Sequence, residues 1–276
     1  MLEPQARTLL LDALKPPLEH SLDFGIGTSY SLDLLALLAV PLSLSLLDRT
    51  DRFGDVIANR ATVIEAIKRA GPKFILFCQE DGIKVPPPDQ RLLELLEHSI
   101  APVQAPGTGS FHPKVWLLRY LGPDQSVLFR LVCSTRNLTY DRCWDTALVL
   151  EGRLLGRKNG LAANRPLSEF IAALPSLARH PLDSVHAAKV AQLGDECRRV
   201  EFVPPPGFDE YRFWPLGVPV RDTWPFDGRI DRMVAVSPFA SEGCLQRLRS
   251  TANDLVLVSR ADTLETLASY FTASGL

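Results

Sequence analysis

Phe111-His112-Pro113-Lys114-Val115-Trp116-Leu117-Leu118-Arg119-Tyr120-Leu121 leads through Gly122-Pro123-Asp124-Gln125 into Ser126-Val127-Leu128-Phe129-Arg130-Leu131-Val132-Cys133. Two apolar runs of strand length flank four turn-forming residues, which is the pattern of a long hairpin. His112 and Lys114 stand two apart at the start of the first run. Side chains alternate along a strand, so both project from one face. Folding the hairpin about residues 122–124 sets His112 opposite Ser134 or Thr135, with Asn137 just past the strand end. An imidazole, an ammonium, a hydroxyl and an amide then converge at one edge of a sheet. Such a set suits a phosphate: a nucleophile or base, a fixed positive charge, and neutral donors for the non-bridging oxygens.

Upstream of the hairpin the pattern alternates between strands and helices. A helix over residues 3–15 ends at Pro16-Pro17, and a strand covers 24–26. Helix entry follows near Ser31, read as the N-cap, in two pieces broken around Pro41. A further helix over 59–70 takes Gly71 as its C-terminal cap. Residues 73–79 (KFILFCQ) show no polar alternation and read as a strand covered on both faces. A proline loop at 86–88, a helix over 90–98 and a strand over 100–104 complete this part. The spacing defines an α/β layered sheet. Downstream, a third strand covers 147–151, and helices cover 166–179 and 183–199. Pro204-Pro205-Pro206-Gly207 is the best boundary, giving domains 1–203 and 208–276. The second restarts a strand-helix-strand-helix series with strands at 232–237 and 255–259.

The chain has 276 residues, with 30 Lys+Arg against 32 Asp+Glu and a net charge of −2. With 46% hydrophobic and 22% charged residues, it is neither a disordered tail nor a supercharged nucleic-acid coat. Any positive potential is therefore local, a cleft rather than a whole surface. Five scattered cysteines form no CxxC pair, which argues against a disulfide framework and a zinc knuckle, and no metal ligand set or cofactor motif stands out. Cys78 and Cys133 read as small core residues. The apolar run 34–47 is too short to span a bilayer. No signal peptide opens the chain, so a cytoplasmic location with no membrane partner is expected. Gly25-x-Gly27 lacks the rest of a nucleotide motif and reads as a tight turn. Tyr30-Ser31-Leu32-Asp33 reads as helix capping. Trp144 is the tryptophan placed to stack a base, and Arg119, Arg136 and Arg142 surround the motif as a phosphate clamp.

His112-x-Lys114 followed by Ser134-Thr135-Arg136-Asn137-Leu138-Thr139 resembles the HxK…GSxN signature (the HKD motif) of the phospholipase D superfamily, most closely its bacterial nuclease-like branch. Thr135 stands for the family's serine and Ser134 for its glycine. The resemblance implies an α/β/α sandwich and a metal-independent phosphodiesterase acting on nucleic acid, DNA or RNA, without a cofactor. His112 would form a phosphohistidine, Lys114 and Asn137 would hold the equatorial oxygens, Thr135 would support them, and Asp145 would orient an imidazole. Arg136, Arg142 and Trp144 would bind substrate.

Two departures stand out. Arg119 occupies the place of the usual aspartate, and the chain has one HxK where the family's site needs two. His186-Ala187-Ala188-Lys189 is HxxK, the wrong spacing for a strand face. The resemblance therefore implies one of two arrangements. The site would be completed by a second copy in a homodimer, or by a second phospholipase D-like half, this chain then being the front part of a two-motif protein with the start of its second half. A role in restriction or anti-phage defence, with a helicase or other defence partner, is implied by analogy alone. The alternative is a non-catalytic nucleic-acid-binding or scaffold subunit. Phospholipid hydrolysis is a third option, disfavoured by the lack of a basic amphipathic helix.

Overall fold

The computed structural model describes residues 9–45, 60–86, 91–107, 109–141, 143–156, 158–218 and 223–273. Expectations that fall on residues 3–8, 46–47, 59, 87–88 and 90, and on Arg142, lie outside the described residues. The chain divides into two units, Met1–Arg221 and Asp222–Leu276. Residues 204–207 lie inside the first unit, where Tyr211 and Phe213 set their rings edge-on to Phe202, 6.1 and 6.2 Å away.

The first unit is a three-layer α/β sandwich. Its strands are β1 (Ser21–Ser29), β2 (Leu32–Asp33), β3 (Phe74–Gln79), β4 (Ile83–Lys84), β5 (Ile100–Val103), β6 (Val115–Leu121), β7 (Val127–Ser134), β8 (Ala147–Leu154) and β9 (Val200–Val203). Seven of them form one sheet in the order β5-β3-β1-β6-β7-β8-β9, while β2 and β4 pair separately. The first three are parallel, and from β6 onward each strand is antiparallel to its neighbour. β3 is buried along its whole length because Phe74, Leu76 and Cys78 face one core while Ile75 and Phe77 face the other. On the first face, Trp116, Leu118 and Tyr120 share a core with Leu37, Val40 and Ile67. On the second, Leu117, Phe129 and Leu131 share one with Ile171, Leu174 and Leu193, from the helices Arg165–Leu177 and Ser184–Glu196. Burying each such side chain stabilises the fold by roughly 1.5–3 kcal/mol.

Several local expectations are corrected. The hairpin is present, but its register lies two residues from the one expected: Val115 pairs with Cys133, and the Ser134 amide donates to the Lys114 carbonyl at 2.9 Å. The cause is the turn. Gly122 and Ser126 close a three-residue loop whose last residue, Gln125, is left-handed (φ 61°). An even displacement keeps every side chain on its face. Gly25 and Gly27 form no turn but lie inside β1. A Cβ at Gly27 would meet Trp116 at 2.7 Å and Leu76 at 2.8 Å, so the missing side chain lets Trp116 lie across the strand. The N-cap is Asp33, accepting from the Leu35 amide at 2.9 Å, and not Ser31. The helix breaks at Leu38, and Pro41 then sits in the first turn of Ala39–Ser45, where it has no donor to lose. Gly71 opens a 3-10 turn rather than a left-handed cap. Cys78 is buried, and burial pushes its thiol up to about 12, whereas Cys133 is exposed. β8 runs on to Leu154 so that β9, unanticipated, can pair with it.

In the second unit, β10 (Ile230–Val236) and β11 (Ala252–Val258) pair in parallel around the helix Glu242–Thr251, which Ser241 caps. Trp224 lies under the Arg247 guanidinium, 4.4 Å from its ring centroid. Among the described residues, no helix is long and apolar enough to cross a membrane.

Candidate active site

The strand ends of the first unit build a site around Phe111-His112-Pro113-Lys114. This segment is irregular, and two polar side chains fix it from the carboxyl ends of neighbouring parallel strands. The Phe111 amide donates to Gln79 Oε1 at 2.8 Å, at the end of β3. Near the end of β1, Thr28 Oγ1 accepts from the Val115 amide at 2.8 Å and donates to its carbonyl at 3.2 Å. Phe111 itself is buried in the second core. Backbone on either side of His112 and Lys114 is thereby held, and the two side chains emerge together.

Lys114 Nζ stands 3.0 Å from Nδ1 and 3.3 Å from Nε2 of His112, and donates to the His112 carbonyl at 3.0 Å. His112 is exposed while Lys114 is only 8% exposed. Burial, and secondarily the Lys114 charge, lower the His112 pKa below the ordinary 6.5. Burial also lowers that of Lys114. The imidazole thus gives up its proton more readily than an ordinary histidine, and its neighbour is a cation that an incoming anion would draw away from the ring nitrogens.

Asn137 arrives from the loop after β7. Its Oδ1 accepts from the amides of Tyr30 and Ser31, both at 3.3 Å. The Leu138 amide donates to Ser29 Oγ at 3.0 Å, and the Asp33 amide donates to the Leu138 carbonyl at 2.9 Å. Leu138 is buried in the first core. With Oδ1 committed to the backbone, Asn137 has its Nδ2 donors left to offer. Tyr30 packs on His112, the ring centroids 4.9 Å apart.

The other expected residues form a second group within the same loop. Thr135 Oγ1 donates to Asp145 Oδ1 at 2.9 Å and accepts from the Thr146 amide at 3.0 Å. Arg136 donates to Asp145 Oδ2 at 3.1 Å and to the carbonyls of Thr139 and Asp141 at 3.0 and 2.8 Å. Burial raises the Asp145 pKa, but hydrogen bonds from Cys143, Thr135 and Arg136 outweigh it and hold the carboxyl below its usual range. Asp145 therefore orders the loop; its contacts are with Thr135, Arg136 and Cys143 rather than with His112. Arg136 likewise braces the loop instead of standing free as a clamp. Trp144 is 83% exposed beside them.

Arg119 and the HxxK pair lie elsewhere. Arg119 is buried between Glu196 (2.7 Å) and Asp23 (2.9 Å), tying the sheet to the helix Ser184–Glu196. Lys189 on that helix also reaches Asp23, at 2.9 Å, and His186 is buried against Asp183 and Phe24. These residues do structural work. Thr28, Tyr30 and Gln79 were missed in the sequence. Their signal was a polar residue ending an apolar run at the carboxyl end of a parallel strand, where α/β sheets collect ligands. Among the described residues, no group of three or more His, Cys, Asp or Glu is arranged to hold a metal ion.

No family model and no curated protein matches the chain. Among solved structures it is similar to yeast tyrosyl-DNA phosphodiesterase, at 12% identity and a TM-score of 0.42, covering 67% of this chain and 37% of that one. Two structures of variants of that enzyme give 12% and 11% identity with TM-scores of 0.41 and 0.42, covering 67% and 70% of this chain. The chain spans 36% to 37% of the length of these structures.

Proposed function

We propose that the first unit supplies one half of a phospholipase D-type phosphodiesterase site that cleaves a nucleic-acid backbone without a metal ion. The observation that carries this reading is an exposed imidazole with a buried ammonium 3.0–3.3 Å from its ring nitrogens at the carboxyl ends of parallel strands. In the reaction, a His112 nitrogen attacks phosphorus and a P–N bond forms as the bond to the leaving oxygen breaks. A histidine from the other half protonates that oxygen. Water then hydrolyses the P–N bond and returns His112 to its neutral form. The Lys114 ammonium and the Asn137 amide nitrogen stabilise the equatorial oxygens as their charge grows. Thr135, Arg136 and Asp145 hold the loop that delivers Asn137, and Trp144 offers a face to a base. Arg142 joins this proposal through its place in the sequence.

The second HxK comes from another copy or from another phospholipase D-like half, because His186 and Lys189 are engaged in holding the helix to the sheet. The setting inferred from the nuclease-like resemblance is bacterial restriction or anti-phage defence, with a helicase or other defence component as partner. The test uses labelled single- and double-stranded DNA and RNA in the presence of a chelator, with acid-quenched samples probed for phosphoenzyme. His112→Ala is expected to abolish cleavage and the phosphoenzyme while leaving binding within a few-fold. Cleavage by His112→Ala at the parental rate would overturn the assignment. Binding without cleavage by the parent, even with a second half supplied, would instead make this a nucleic-acid-binding subunit.

A further inference from the structure

Tyr30 follows the last residue of β1, and three separate contacts run from it into the candidate site. Its ring centroid lies 4.9 Å from that of the His112 imidazole, the planes inclined at 43°. The Lys114 ammonium stands 6.0 Å from the same ring. Its backbone amide donates to Asn137 Oδ1 at 3.3 Å. Residues 24–29 of the strand that carries it are all buried, so the ring is mounted on a fixed support.

His112 needs such a support. It precedes β6, is exposed, and its χ2 torsion is intrinsically broad, so the backbone alone does not choose the plane of the imidazole. A tilted aromatic neighbour within about 4.5–7 Å favours one orientation of the pair. We infer that Tyr30 is a positioning residue: its ring sets the plane of the His112 imidazole, and its amide sets which end of the Asn137 side chain faces the phosphate. The inference rests on the reading of His112 as the reacting group. Its hydroxyl has no part in this, so phenylalanine should serve as well, while leucine would keep the amide contact and lose the ring.

The test uses the full chain with isotope-labelled histidine in three forms: parent, Tyr30→Phe and Tyr30→Leu. Ring-nitrogen shifts of His112 report its tautomer balance, and Cε1 relaxation reports its mobility. Among the described residues, the groups facing this imidazole are Lys114, from its own segment, and Tyr30, from the end of β1. Tyr30→Phe is expected to match the parent. Tyr30→Leu is expected to change the tautomer balance and loosen the ring; in a cleaving assembly kcat should fall by about 10²-fold with KM nearly unchanged. A leucine variant whose His112 signals match the parent would overturn the inference, as would a phenylalanine variant as impaired as leucine. The NMR comparison decides the role of Tyr30 even if the parent cleaves nothing, an outcome that would count against the phosphodiesterase reading alone.

Discussion

Lys114 opposes the fold that holds it. Its ammonium is buried with the imidazole and carbonyl of His112 as its hydrogen-bond partners, and burial lowers its pKa. A cation whose folded pKa is depressed weakens the fold wherever it is protonated, and the penalty disappears only above its unfolded pKa. At pH 7, Lys114→Met should therefore raise the melting temperature, by about 1–3 °C, while abolishing cleavage. A calorimetric scan with an activity assay checks both. The same variant should raise the titration midpoint of His112 toward 6.5, because the Lys114 charge is the second cause of its depression; burial, the first, remains. The linkage sign for His112 is the same: its protonation weakens the fold as pH falls below 6.5, and that loss should shrink in Lys114→Met. Asn137 separates two roles at one residue. In Asn137→Asp the carboxylate still accepts from the Tyr30 and Ser31 amides, so stability should stay close to the parent. The donor is gone, however, and cleavage should drop by about 10²–10³-fold. Equal losses of stability in Asn137→Asp and Asn137→Ala would deny that the amide oxygen docks the loop.

At the scale of elements, β1 and β6 are joined by close packing and a buried charge cluster. Gly27→Ala forces a Cβ within 2.7–2.8 Å of Trp116 and Leu76, and should cost about 1–3 kcal/mol, read as a lower urea midpoint with unchanged m-value. Arg119→Leu leaves Asp23 and Glu196 without their shared guanidinium in a half-buried site; a loss of about 3–5 kcal/mol is expected. An aspartate at 119 would face two carboxylates, so the cluster accepts a cation at this position. The elements themselves were largely legible because their signals are local. An all-apolar run over 74–79 must be covered on both faces, and two apolar runs around Gly122-Pro123 must fold back. The register was not legible, because it depends on Gln125 adopting a left-handed conformation that its residue type does not announce. Nor was the true nature of Gly25 and Gly27, since what a glycine makes room for lies on other strands.

For the whole molecule, the division at 221–222 leaves both cores and every residue of the candidate site in Met1–Arg221. A fragment of residues 1–221 should therefore fold cooperatively by itself and keep the His112 signals of the full chain; an unfolded fragment, or one with altered signals, would refute this. The three-layer architecture was readable from the alternation of strands and helices. His112, Lys114 and Asn137 were readable because they follow one another along a single hairpin and its exit. Thr28, Gln79 and Tyr30 were not, because they reach the site across 87, 32 and 107 residues of chain, a nearness that only the finished sheet creates.

The docking of Asn137 against Tyr30 also has a temporal side. The contact joins stretches more than a hundred residues apart, so it cannot form until both have been made and brought together. A nascent chain presents His112 before Asn137, the residue that docks on the Tyr30 amide, has been made. Until those distant stretches meet, His112 is an ordinary surface histidine. A truncated or misfolded copy therefore carries the His112–Lys114 pair without the docked Asn137 beside it.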